Sequence, residues 1–135
     1  MKITEIKIGD KQTLTKKITS EDNEKFAEIL GDSNPVHLNE EYAQNTMFKG
    51  RIAYGMLVSG LISTVIGSKL PGNGSIYLSQ TLKFTKPVWL DDTITAEVEV
   101  VEMDIEKNRL TLKTRCYNQN DIDVIIGEAI VMPEK

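Results

Sequence analysis

Two periods divide the chain. Between Ile52 and Ser68 the apolar residues Met56, Leu57, Leu61, Ile62, Val65 and Ile66 recur three and four apart, with no charge among them. That spacing predicts a helix buried on more than one side, and the turn signal Pro71-Gly72-Asn73-Gly74 ends it. From Ser75 onward the period falls to two. In ITAEVEV, Ile94, Ala96, Val98 and Val100 alternate with Thr95, Glu97 and Glu99. NRLTLKTRCY and DVIIGEAIVM read as two further strands with NQND turning between them, and IYLSQTLKFTKPV as a fourth, ended by Pro87. No helical pattern separates these strands, so the sheet is expected to be an antiparallel meander.

The N-terminal part is more broken. KITEIKI and TLTKKI look like short strands around the turn signal Gly9-Asp10-Lys11. Thr19 with Asp22 three positions on starts a helix in the manner of a capping box. Phe26, Ile29 and Leu30 give it an apolar face, and Gly31 is its stop. Pro35 pushes Asn34 into an extended conformation. Asn39 is an N-cap, with Glu40 and Glu41 in a first turn that favours anions. Asp32 to Leu38 is thus a tight connection between two short helices.

One apolar helix followed by a long antiparallel sheet has a simple solution: the sheet curls around the helix and buries it. An α+β sandwich satisfies the same pattern. A half-wrapped sheet leaves edges and an open face, so pairing with a second copy is a natural completion.

Composition narrows the function. A length of 135 residues implies one domain over 1–135. Net charge is −4, with no basic block, which argues against nucleic acid as a partner. Cys116 is the only cysteine and His37 the only histidine, so the chain has no internal disulfide and no His/Cys zinc site. Cys116 lies in an alternating segment and reads as packing rather than as a nucleophile. MKITEIKIGDK lacks the apolar core of a secretory signal. The longest uncharged run, Ile52 to Ser68, is shorter than the roughly 20 residues of a spanning helix. The expectation is a cytoplasmic protein without membrane partners.

Candidate chemistry gathers in GDSNPVHLN. Asp32, Asn34 and His37 are ordinary turn residues, and they are also an acid and a base on one short loop. An aspartate and a histidine ordinarily ionise near about 3.9 and 6.5, so both can be unprotonated bases near neutral pH. Gly55 admits two readings: close packing of helix on sheet, or the opening residue of the helix with a free backbone N–H. Ser63 is either a small spacer or a polar group near the site. Neither Ser63 nor Ser59 sits in a G-x-S-x-G elbow, so a serine hydrolase triad has no support. Met47, Phe48 and Met56 either pack the core or line an apolar pocket.

The stretch GDSNPVHLNEEYAQNTMFKGRIAYGM resembles the signature of the MaoC-like hydratases: Asp32, Asn34, Pro35 and His37, then Tyr42-Ala43, then Ile52-Ala53-Tyr54-Gly55-Met56. LPGNGSIYLSQTLKFTKPV and ITAEVEV are similar to the same family, so the likeness runs from about Ile18 to Met132. More narrowly it resembles the (R)-specific enoyl-CoA hydratases that supply monomers for polyhydroxyalkanoate synthesis.

That resemblance implies a hot-dog fold of the α+β class, a long helix wrapped by an antiparallel sheet, in a homodimer or higher homo-oligomer. It implies that Asp32 and His37 hold the water that adds to a trans-2-enoyl thioester, that Gly55 donates to the thioester carbonyl, and that Asn34 and Ser63 support them. The substrate would be an acyl-CoA thioester, with no metal and no separate cofactor. Tyr54 departs from the pattern, because relatives usually have His before this glycine. The competing readings are a dehydratase of acyl-carrier-protein thioesters, a thioesterase on the same scaffold, and a non-catalytic acyl-CoA-binding module. The acid–base pair counts against the last two, since neither needs it.

Overall fold

A computed structural model describes residues 1–135. A single 3-10 turn at Ile3–Glu5 precedes strand β1 (Lys11–Lys17), helices α1 (Ser20–Leu30), α2 (Pro35–Leu38), α3 (Glu40–Gln44) and α4 (Gly55–Ser68), and strands β2 (Ile76–Gln80), β3 (Lys83–Phe84), β4 (Thr93–Asp104), β5 (Arg109–Tyr117) and β6 (Asp123–Met132). All strand pairs are antiparallel, in the order β1-β4-β5-β6-β2, with β3 also on β6.

The alternation in β4 comes out as read. Ile94, Ala96, Val98 and Val100 point inward, joined by Leu110, Leu112 and Cys116 of β5 and by Val124, Ile125, Ala129 and Val131 on the segment of β6. Against this face lie Val58, Leu61, Ile62, Val65 and Ile66 of α4. Each fully buried aliphatic side chain contributes roughly 1.5–3 kcal/mol, so the helix and the inner sheet face define one core. This is the hot-dog arrangement that the resemblance implied. Cys116 packs within it, and burial pushes its thiol up to about 12.

Four expectations need correction. KITEIKI is no strand: Ile3 and Ile6 dock into the core from a 3-10 turn, because two inward isoleucines three apart suit a helical turn. The segment IYLSQTLKFTKPV does not continue a simple meander. It splits into β2 and β3 and crosses to the far side of β6, with an irregularity of register at Tyr77 to Ser79. The contact face of α1 lies one turn early. Asn23 is fully buried and Phe26 and Ala27 are partly so, whereas Ile29 and Leu30 are 79% and 62% exposed. Finally, α4 keeps one open side, where Met56, Gly60, Ser63, Thr64 and Gly67 face outward.

Candidate active site

The acid and the base are set by consecutive local stops and starts. Thr19 and Asp22 make the reciprocal capping bonds that begin α1, and Gly31 ends it in the left-handed region at φ 73°. Asp32 follows on the exposed surface, and its Oδ1 accepts the Asn34 N–H at 3.2 Å. Asn34 turns its own Oδ1 to the Val36 N–H at 3.2 Å and so caps α2, whose first residue is Pro35. Asn34 therefore orients the Asp32 carboxylate and starts the turn that carries His37. The sequence reading lacked that helical turn inside the connection.

His37 is held from behind. Its Nδ1 lies 2.8 Å from the Ile52 carbonyl oxygen. A carbonyl only accepts, so Nδ1 carries a proton, and in the neutral tautomer Nε2 is then the acceptor. The His37 carbonyl takes two donors, Arg51 Nε at 2.8 Å and Asn23 Nδ2 at 3.1 Å. Asn23 also donates to the Ile52 carbonyl at 3.1 Å and accepts the Tyr54 N–H at 3.4 Å. Arg51 Nη1 reaches Ser20 Oγ at 3.0 Å, while its Nη2 is buried without a partner.

Beyond Ile52 the chain pairs with the segment after β3: the Ala53 N–H bonds the Val88 carbonyl at 2.6 Å. Tyr54 then leads into α4, which opens at Gly55 with no side-chain cap. The first N–H groups of a helix have no partner inside it and sit at the positive end of its dipole. A Cβ on Gly55 would stand 2.7 and 2.9 Å from carbons of the Phe84 ring. Both readings of Gly55 hold together: the close approach needs glycine, and the opening N–H is free.

These elements enclose a pocket of about 330 Å³, lined by His37, Phe48, Ile52, Gly55, Val58 and Phe84 among others. Trp89 Nε1–H holds the Phe48 carbonyl at 2.8 Å and so ties one wall in place. Asp32 is not among the lining residues of the single chain, and neither is Ser63. Ser63 instead faces a second groove of about 460 Å³ between α4 and β2, with Met56, Ser59, Tyr77 and Leu78. Met47 is exposed and lines neither.

Sequence reasoning missed Asn23 and Arg51. Asn23 carried a signal, a polar residue at the position where α1 needs its inward face, visible only once the register of that face is known. In all, the arrangement offers a lone-pair nitrogen and unpaired backbone donors around one apolar pocket, with a carboxylate on the adjoining turn.

A family model described as MaoC like domain matches residues 4–120. The chain is 48% identical to the (R)-specific enoyl-CoA hydratase of Rhodospirillum rubrum, across 95% of this chain and 88% of that protein. It is 44% identical to the 3-hydroxybutyryl-CoA dehydratase of Methylorubrum extorquens, across 97% and 83%. The solved (R)-hydratase from A. caviae involved in PHA biosynthesis superimposes with a TM-score of 0.92 at 40% identity, covering 94% of this chain and 96% of that one.

Proposed function

The chain belongs to the MaoC-like family, and on that premise we propose that it is an (R)-specific enoyl-CoA hydratase. It adds water reversibly to trans-2-enoyl-CoA and yields (R)-3-hydroxyacyl-CoA. The observation that carries this reading is the pairing of His37 Nδ1 with the Ile52 carbonyl, which leaves Nε2 free beside the opening turn of α4 in one pocket.

Hydration needs a group to take a proton from water and a donor to hold the charge that gathers on the thioester oxygen. Asp32 takes the proton, and His37 Nε2 accepts the other O–H and fixes the attacking water. The Gly55 N–H faces the enolate-like oxygen; such a donor is worth roughly 3–4 kcal/mol of barrier. The acid–base pair then returns a proton to the α-carbon. The addition is redox-neutral and runs without a metal or separate cofactor. The apolar lining from Phe48, Val58 and Phe84 receives the acyl chain.

A homodimer completes the fold. β2 is an edge strand that exposes Ile76, Tyr77 and Leu78 beside the small outward residues Gly60 and Ser63 of α4. A second copy pairing there covers this apolar edge and places Ser63 at the seam. No helix is long and apolar enough to cross a membrane, and the reading places the enzyme in the cytoplasm. A dehydratase working on acyl-carrier-protein thioesters would use the same groups in reverse.

The test follows loss of enoyl-thioester absorbance with crotonyl-CoA, with chiral analysis of the product, for wild type, Asp32→Asn and His37→Gln. An (R) product and a fall of about 10²- to 10⁴-fold in each variant are expected. Activity retained in both variants removes these residues from the chemistry. A wild type active on acyl-carrier-protein thioesters alone transfers the assignment to the dehydratase.

A further inference from the structure

Tyr54 is only 2% exposed and does not line the pocket, yet it touches both members of the acid–base pair. Its hydroxyl donates to the Asp32 carbonyl at 2.5 Å. Its ring lies against the His37 imidazole, with centroids 3.9 Å apart and planes tilted by 33°, and it also meets the Phe26 ring at 4.9 Å. Its peptide bond leads directly into Gly55. One side chain therefore joins the carboxylate turn, the imidazole and the helix opening.

The Asp32 turn has no other such anchor. Within residues 31–34 the remaining hydrogen bonds are local, made to Ala27, Val36 and His37 or between Asp32 and Asn34. An exposed turn tied only to its neighbours is free to swing about the end of α1. The Tyr54 hydroxyl converts that freedom into a fixed distance from the rest of the site.

We propose, resting on the function assigned above, that Tyr54 is a positioning residue for the reaction, its hydroxyl fixing the Asp32 turn and its ring fixing the plane of His37. Tyrosine here stands where the resembling family pattern has histidine, and it brings a phenol oxygen to the Asp32 carbonyl. Burial, and next the Asp32 carboxylate, hold the phenol above its ordinary range, with Arg51 opposing, so it remains a donor at neutral pH.

The experiment compares wild type with Tyr54→Phe, which keeps the ring and removes one oxygen. Because reaction geometry is steep in distance, kcat should fall about ten- to a hundredfold, with KM changed less than about twofold. Circular dichroism at the assay temperature sets the folded fraction. Should Tyr54→Phe fail to fold, Tyr54→Leu is measured in the same way and must show lowered kcat with KM changed less than about twofold.

A wild-type kcat per folded molecule in the variant measured, or a loss confined to KM, overturns the proposal. Asp32→Asn and His37→Gln are run beside it. If both stay active, the site assignment itself fails; if they collapse while Tyr54→Phe does not, only the positioning role fails.

Discussion

Asn23 is the residue whose loss should reveal most about how the site is held. It is fully buried in α1 and makes hydrogen bonds to the His37 carbonyl, the Ile52 carbonyl and the Tyr54 N–H. Asn23→Ala removes all of them, but the cost is uneven. The His37 carbonyl keeps Arg51 Nε, and the Ile52 carbonyl keeps His37 Nδ1. The Tyr54 N–H has no second acceptor, and leaving a buried donor unpaired costs about 1–3 kcal/mol. With a smaller loss at the two carbonyls, the total is roughly 2–4 kcal/mol. At about 3–4 °C per kcal/mol for a domain of this size, the melting midpoint should drop by roughly 6–16 °C. Thermal and urea melts measure it. Asn23→Asp, nearly isosteric, should be worse, because it turns a carboxylate oxygen toward two carbonyls. A midpoint for Asn23→Ala within about 2 °C of wild type would refute the view that these bonds hold the site.

Two further outcomes follow from the geometry. Gly55→Ala puts a Cβ under 3.0 Å from the Phe84 ring, so either the ring or the start of α4 must move. The overpacking should cost about 1–3 kcal/mol and raise KM while lowering kcat, as read by steady-state hydration and a melt. The Asp22 carboxyl is held below its ordinary 3.8: burial pushes it up, but hydrogen bonds from the Thr19 N–H, Lys16 and the Thr19 hydroxyl outweigh that. A depressed carboxyl stabilises the fold above the unfolded value near about 3.9, and that stability is lost as pH falls through the folded value. Asp22→Asn should therefore lower the urea midpoint at pH 7 and narrow its difference between pH 7 and pH 3; an unchanged difference refutes this.

Legibility in the sequence followed the range of the physics. The Thr19–Asp22 cap, the Gly31 stop, the Asn39 cap and the alternation of β4 are local, and they appear where the residues placed them. Ile29 and Leu30 misled because periodicity gives a helical face without saying which turn meets the core. That choice belongs to Asn23, whose partners lie 14 and 29 positions away. The crossing of β2 and β3 to β6 was equally hidden. The link between them passes so close to β6 that a Cβ on Gly127 would stand 1.9 Å from the Thr81 carbonyl, a contact no local pattern encodes. At the motif residues, His37 and Gly55 line one pocket and Asp32 and Asn34 stand on the adjoining turn, whereas Ser63 faces another groove.

The site is built on joints rather than on elements, and this has a consequence for its rigidity. Asp32 follows the end of α1, His37 rides a helix of a single turn, and Gly55 is the first residue of α4. A one-turn helix cannot sustain itself, because nucleation costs more than its few bonds return. The order at His37 is therefore imported: Asn23 and Arg51 grip its carbonyl, Ile52 grips its ring, and Asn34 begins its turn. Main-chain atoms are locked while the His37 ring faces the pocket. The same logic reaches the sheet edge. Phe84 packs against Gly55 from β3, and β3 hangs on β6 beside β2. Any force that moves that edge, including pairing with a second copy, acts on the first turn of α4 through one aromatic ring.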